Sequence, residues 1–252
     1  MTKPEALFNY CLRLGDSSLI LAQRNGEWCG HGPFLEEDLA LTNITLDLLG
    51  HANSILQYAG TVEGKSRTED DLAFRRGERE FYNTLLTEQT NGDYAKTILR
   101  QFLCDAFDFY FYSELVKSKD DTLAAIAAKS IKEITYHLRH SSSWIERLGD
   151  GTEESHARIQ HALHDLWRFT GELFEMNEVD SILLKEGIAV DLNLIKPKWE
   201  NKVKDILERS TLKIPIDTFM QRGSREGKHT EQLGYILAEM QSLPRALPDA
   251  KW

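Results

Sequence analysis

Two acid–imidazole pairs stand four residues apart in this chain, Asp47 with His51 and Glu133 with His137. Carboxylate and imidazole together are the ligand set of non-haem di-metal centres, and Asp16, Asp105 and Asp108 add further acids to the supply. In a four-helix di-iron site two helices each give one carboxylate and two others each give a Glu-x-x-His pair, because residues three apart point the same way. Neither pair has that spacing. Three residues before His51 is Leu48 and three before His137 is Ile134, while three after Asp47 and Glu133 come Gly50 and Tyr136. An acid four residues before a histidine is also an ordinary intrahelical ion pair, so the pairs read first as structural contacts and second as metal ligands.

The elements that carry these residues are helices. Nearly every long segment has apolar residues at helical period, and alternating runs rich in Val, Ile and Thr are missing. The first predicted helix starts at Pro4, a tolerated first-turn residue, bears Asp16, and stops at Asn25-Gly26. The second starts near Phe34 with Glu36, Glu37 and Asp38 in its first turn, where acids complement the helix dipole, and runs along Leu41, Ile44, Leu48, Ile55 and Ala59 to a Gly60 stop. A shorter helix is expected over Glu78 to Glu88. After Asn91-Gly92-Asp93 a third long helix, apolar around most of its circumference, carries Asp105 and Asp108; a fourth, capped by Asp120 or Asp121, carries Glu133 and His137. Another follows from Thr152, and two more are expected around Trp199 to Leu207 and Leu233 to Met240. The tail from Leu243 to Trp252 holds Pro244 and Pro248 and is expected to be extended, either frayed or docked on another chain. No low-complexity linker or short repeat appears, so residues 1–252 read as one domain. The long helices pair as two hairpins, the layout of an all-α, ferritin-like four-helix bundle with additional helices.

Composition narrows the function. Thirty Lys and Arg against forty Asp and Glu give a formal charge of −10, which repels a phosphate backbone and argues against nucleic acid. Three separated cysteines, Cys11, Cys29 and Cys104, suggest neither a disulfide framework nor a thiolate zinc site and fit a reducing cytoplasm. No apolar run approaches a membrane span, and no signal core opens the chain. Any bound anion needs a local basic patch. Arg75-Arg76-Gly77-Glu78-Arg79 is the tightest arginine cluster, and at a helix start it could cradle the phosphates of a CoA ester; the alternative is a solvated loop with its own ion pairs. The aromatic run Phe107, Phe109, Tyr110, Phe111 and Tyr112 reads as core or interface rather than a substrate tunnel. His156, His161 and His164 read as surface positions rather than a metal site.

Three blocks resemble a known family: Leu35 through Ala52, Lys132-Glu133-Ile134-Thr135-Tyr136-His137-Leu138-Arg139-His140, and Trp144 through Ser155. They are similar to the C subunits of the ring-1,2-phenylacetyl-CoA epoxidases, bacterial multicomponent monooxygenases of the ferritin-like superfamily. The resemblance spans essentially the whole chain. It implies a cytoplasmic, non-catalytic subunit with no cofactor of its own, paired with a homologous A subunit that holds di-iron and epoxidises phenylacetyl-CoA. A small B subunit and a reductase complete the implied system, which serves aerobic phenylacetate catabolism. Asp16, Asp47, His51, Asp105, Asp108, Glu133 and His137 would then be a degenerate site. The alternative is an active di-iron monooxygenase with an irregular ligand set drawn from the same residues. An iron-storage bundle is a third possibility, but no surplus carboxylate array stands out.

Overall fold

The structure, a computed structural model, describes every residue except Asp217, Asp249, Lys251 and Trp252. Its described residues are helical or irregular with no strand. The chain forms two compact units, one from Met1–Gln89 with Gly223–Trp252, the other from Thr90–Arg222.

The first unit is built on a hairpin of α1 (Lys3–Gly26) and α2 (Leu35–Glu63). Thr2 and Glu5 make a capping box at the start of α1, each side chain bonding the other's backbone N–H, and Pro4 sits in the first turn. Ile20 of α1 and Leu41, Ile44, Leu48 and Ile55 of α2 are fully or almost fully buried. Each such side chain contributes roughly 1.5–3 kcal/mol by leaving water. The α2 helix passes Gly60 and ends three residues later, with Gly64 at φ 70° as the left-handed cap. Gly60 therefore has a different role from the expected stop. A Cβ there would collide with the Arg67 carbonyl oxygen, so the glycine lets the returning chain lie against the helix.

After α3 (Glu69–Phe74) the expected helix over Glu78 to Glu88 is reduced to one 3-10 turn at Glu78–Glu80. The reason is where its backbone bonds go. Tyr82 N–H donates to Asp16, Thr84 N–H donates to Ser17 Oγ, and the Phe81 carbonyl accepts from His229, all far away in sequence. The tail also departs from expectation: it is not extended from Leu243, because α10 spans Ser242–Ala246 with Pro244 inside its first turn. Arg245 Nη2 donates to the Arg76 carbonyl at 2.9 Å and Gln241 Nε2 to the Ala73 carbonyl at 3.0 Å, which tie this stretch to the segment after α3. The expectation for Trp252 lies outside the described residues.

The second unit is built on a hairpin of α4 (Tyr94–Leu115) and α5 (Asp121–Gly149), with α6 (Glu153–Trp167), α7 (Glu178–Lys185) and α8 (Leu192–Arg209) packed in the same unit. Asp93, Asp120 and Thr152 cap α4, α5 and α6 through side-chain bonds to the backbone N–H three residues on. On α4, Phe111 and Tyr112 are buried and Phe107 stacks on Phe111 at 5.4 Å, a core use of the aromatic run. Trp199 of α8 is buried and donates from Nε1 to the Leu103 carbonyl. The α9 helix (Glu231–Met240) belongs to the first unit. The two long hairpins and the shorter helices around them are the parts of the all-α, ferritin-like class expected from the sequence.

Candidate functional site

Asp16 is completely buried on α1 and fully engaged. Arg76, whose side chain is only 3% exposed, lays its guanidinium fork on the carboxylate: Nη2 donates to Oδ1, and Nη1 to Oδ2 at 3.0 Å. Tyr82 N–H adds a third bond to Oδ2 at 3.0 Å. The guanidinium also donates from Nε to the Leu72 carbonyl and from Nη1 to the Glu80 carbonyl, and it lies 4.2 Å from the Phe81 ring centroid. A buried carboxylate requires a positive partner, and a planar, always-charged fork supplies one. Asp16 thereby has both oxygens in use, and a metal ion there would have to compete with the Arg76 guanidinium for them.

This geometry also redefines the arginine cluster. Arg76 faces inward instead of joining a phosphate cradle, and Gly77 N–H donates to Glu80 Oε2 at 2.7 Å instead of standing open. Arg75 pairs with Asp71, and Glu78 and Arg79 are exposed. Arg75 and Arg79 therefore keep exposed guanidiniums, but the five residues do not converge on one point.

A second buried network in this unit had no signal in sequence spacing. Glu88 is fully buried, with Oε1 accepting from Thr230 N–H at 2.7 Å and Thr230 Oγ1 at 2.8 Å, and Oε2 accepting from Asn83 Nδ2 at 2.9 Å. His229 Nδ1 lies 2.8 Å from the same Oε2, and Nε2 lies 2.8 Å from the Phe81 carbonyl oxygen. A carbonyl only accepts, so Nε2 carries a proton, and a further proton is shared between Nδ1 and Glu88. Arg24 bonds the Glu88 carbonyl through Nε and Nη2. The network fastens the 223–231 stretch to the segment after α3.

On α2, His51 is buried and Asp47 half-buried, one turn apart. On α5 of the second unit, His137 is fully buried and Glu133 half-buried at the same spacing. Asp105 on α4 is buried: Gln101 Nε2 donates to its Oδ1 at 2.6 Å, and Ser141 Oγ lies 2.7 Å from its Oδ2. Burial holds the Asp105 carboxyl well above the usual carboxylate range; the Ser141 and Gln101 bonds pull the other way, and the Asp108 charge adds to the rise. Ser141 Oγ is also 2.9 Å from the His137 carbonyl. Ser141 Oγ thus has the Asp105 carboxyl and the His137 carbonyl both within hydrogen-bond reach. Asp108 keeps some accessible surface as a residue, yet its carboxyl end is enclosed, and burial pushes it up to about 7. Burial raises the Cys104 thiol well above its usual range too, with the charges of Asp108 and Asp105 adding to the effect, which makes it an inert core thiol.

Among the described residues, no group of three or more His, Cys, Asp or Glu side chains is placed to hold a metal ion. Two of the acids are engaged in ways that do not fit a two-metal centre: Asp16 belongs to Arg76, and both oxygens of Asp105 are bonded, one to a serine and one to an amide. His156 Nδ1 sits 2.8 Å from the Gly149 carbonyl, and His161 lies 3.8 Å from Asp165, while His164 is exposed. Phe109 and Tyr110 line an open cleft of about 460 Å³ with Arg139, Ser142, Lys202 and Arg209. No described helix is long and apolar enough to cross a membrane.

Over residues 1–252 the chain matches the profile of the family described as Phenylacetic acid catabolic protein. It is 51% identical over 243 residues to the C subunit of the 1,2-phenylacetyl-CoA epoxidase of Escherichia coli (strain K12), covering 96% of this chain and 98% of that protein.

Proposed function

Since the chain belongs to the phenylacetic acid catabolic protein family, we propose that it is a non-catalytic, C-type subunit of a phenylacetyl-CoA 1,2-epoxidase. In this reading it binds and stabilises a homologous A subunit that carries the di-iron centre and epoxidises the aromatic ring, with a small B subunit also attached. The observation that carries the reading is the Asp16–Arg76 pair. A guanidinium stands against the one carboxylate that α1 contributes to the candidate set, and it cannot leave without stranding a buried charge. The absent Glu-x-x-His spacing around His51 and His137 points the same way. Arg75 and Arg79, the exposed members of their cluster, are the groups left to meet CoA phosphates where subunits join.

The test is co-expression with an A-type family member. Co-elution of the two chains, with iron only in the partner and with epoxidation lost when this chain is omitted, is the expected result. An A-type chain that is equally soluble and active alone would overturn the proposal. One observation favours the second reading, an active di-iron subunit: Asp105 and Asp108 are two acids one turn apart with raised pKa values, as carboxylates held for a cation would be. Iron analysis of the isolated chain separates the two.

A further inference from the structure

The open cleft of about 460 Å³ in the second unit holds positive charge that no acid balances. Two of its walls are α5 and α8, whose ends lie side by side, since a Cβ on Gly149 would strike the Ser210 carbonyl. Both helices line the cleft over the two turns before that point, so they run the same way here. Glu146 of α5 meets Arg209 of α8 across the cleft at 2.9 Å, and Asp205 also holds Arg209, at 3.1 Å. Seven residues earlier on each helix, about 10 Å back along the axes, the cleft is lined by Arg139 and Lys202. Those two cations stand at one level, and among the described residues neither pairs with an acid. The Arg139 guanidinium lies 5.9 Å from the Tyr136 ring centroid. Like charges at one level repel, whereas two turns further on opposite charges join the same helices. Ser142 is one turn from Arg139 on the same face of α5 and also lines the cleft. It is only 8% exposed, yet its hydroxyl has no hydrogen-bond partner, not even the carbonyl four residues back that helical serines commonly use. A buried donor left unmade costs stability unless something outside the chain receives it.

We propose that this cleft binds a small organic oxyanion, a carboxylate or a phosphate monoester carried on an aromatic or aliphatic body. The oxyanion sits between the Arg139 fork and the Lys202 ammonium and accepts the Ser142 proton, which answers all three groups at once. A guanidinium fork matches carboxylate and phosphate oxygens alike. Phe109, Leu138 and Ile206 give the same cleft the apolar lining on which the body lies. A few convergent polar groups in an otherwise apolar cleft of this volume are the usual composition of a small-molecule site. The remaining lining groups do not oppose an anion. Glu146 is held by Arg209, and burial raises the Tyr110 phenol above its ordinary value, which keeps it uncharged at neutral pH. Neither Asp105 nor Asp108 lines the cleft. The proposal is independent of whether the chain acts in an epoxidase.

The experiment is isothermal titration calorimetry of the full chain at low ionic strength with benzoate and with phenyl phosphate. Inorganic phosphate and benzyl alcohol serve as the bare anion and the neutral body. The variants are Arg139→Met, Lys202→Met and Ser142→Ala in the cleft, and Lys129→Met on an exposed part of α5 outside it. Arg139 is exposed and Lys202 half-buried, and thermal unfolding confirms that each variant folds. At least one aryl anion is expected to bind the wild type about tenfold or more tightly than inorganic phosphate or benzyl alcohol does. Arg139→Met and Lys202→Met should each weaken that binding about tenfold, Ser142→Ala about threefold, and Lys129→Met not at all. Tighter binding of benzoate assigns the site to carboxylates, and tighter binding of phenyl phosphate to phosphate monoesters. No binding of either aryl anion to the wild type, cleft variants that bind like wild type, or an equal loss with Lys129→Met would overturn the proposal. Equal affinity for benzyl alcohol would overturn it as well. If the wild type binds neither anion but Arg139→Met loses an A-type partner, the cleft meets an acidic protein surface and the small-molecule assignment is refuted.

Discussion

Replacing Arg76 with methionine isolates the contact on which the site assignment depends. The side chain is 3% exposed and Asp16 is fully buried, so the substitution leaves a carboxylate in the interior with only the Tyr82 N–H as support. It also leaves the Leu72 and Glu80 carbonyls without their guanidinium donors. Removing one member of a buried pair costs about 3–5 kcal/mol, because the remaining charge is uncompensated. The adjacent Arg75 provides a control in the same cluster: it is 56% exposed and pairs with Asp71 on the surface, so Arg75→Met should cost about 1 kcal/mol or less. The double variant Asp16→Asn/Arg76→Met removes both charges and should be about 2 kcal/mol more stable than Arg76→Met alone. Urea unfolding of wild type, Arg75→Met, Arg76→Met, Asp16→Asn and the double variant, followed by circular dichroism, reads these differences. Equal costs at Arg75 and Arg76, or strictly additive effects in the double variant, would refute the argument that the guanidinium neutralises Asp16.

Three other outcomes are expected. The Asp108 carboxyl, pushed up to about 7, binds a proton in the folded chain that the unfolded chain releases near pH 4, so stability falls as pH rises from about 4 to 7. Asp108→Asn should flatten that fall and stabilise the chain at pH 8 by at most about 4 kcal/mol, read by urea unfolding across the range. Glu88→Ala removes the acceptor of Thr230, Asn83 and His229 and should cost about 3 kcal/mol, with faster hydrogen exchange at the Thr230 amide. Alanine at the two glycines of α2 should act with opposite sign: Gly50→Ala stabilises the isolated chain by up to about 1 kcal/mol, whereas Gly60→Ala destabilises it by forcing the Arg67 carbonyl away, both read as shifts in the denaturant midpoint.

Local signals are strong wherever the chain solves its own problems. Asp93, Asp120 and Thr152 cap the helices that follow them, and the acids opening α2 stand where the helix dipole favours them. The short α3 and α7 escape a reading by apolar period, although Thr68 with Asp71 and Asn177 with Asp180 spell capping boxes. What spacing does not convey is pairing across long separations. Arg76 lies 60 residues from Asp16, and His229 lies 141 from Glu88, so the cluster at Arg75–Arg79 looks like one surface patch until its middle arginine is seen to turn inward. The same long-range bonds dissolve the helix expected over Glu78 to Glu88, where helical period alone argues for continuity. The missing i, i+3 spacing at His51 and His137, by contrast, is readable at once, since it is a matter of counting within a single helix. The exposure of Leu39 and Leu46 on α2 stays hidden because both look like core residues in any apolar helix.

Iron content of the chain purified without any partner, after anaerobic incubation with excess Fe(II) and gel filtration, tests the central claim most directly. An electronic spectrum recorded after admitting oxygen completes it. The account predicts iron far below one atom per chain and no absorption from an oxygen-bridged pair. About two iron atoms per chain, the load of a complete four-helix carboxylate centre, would contradict it.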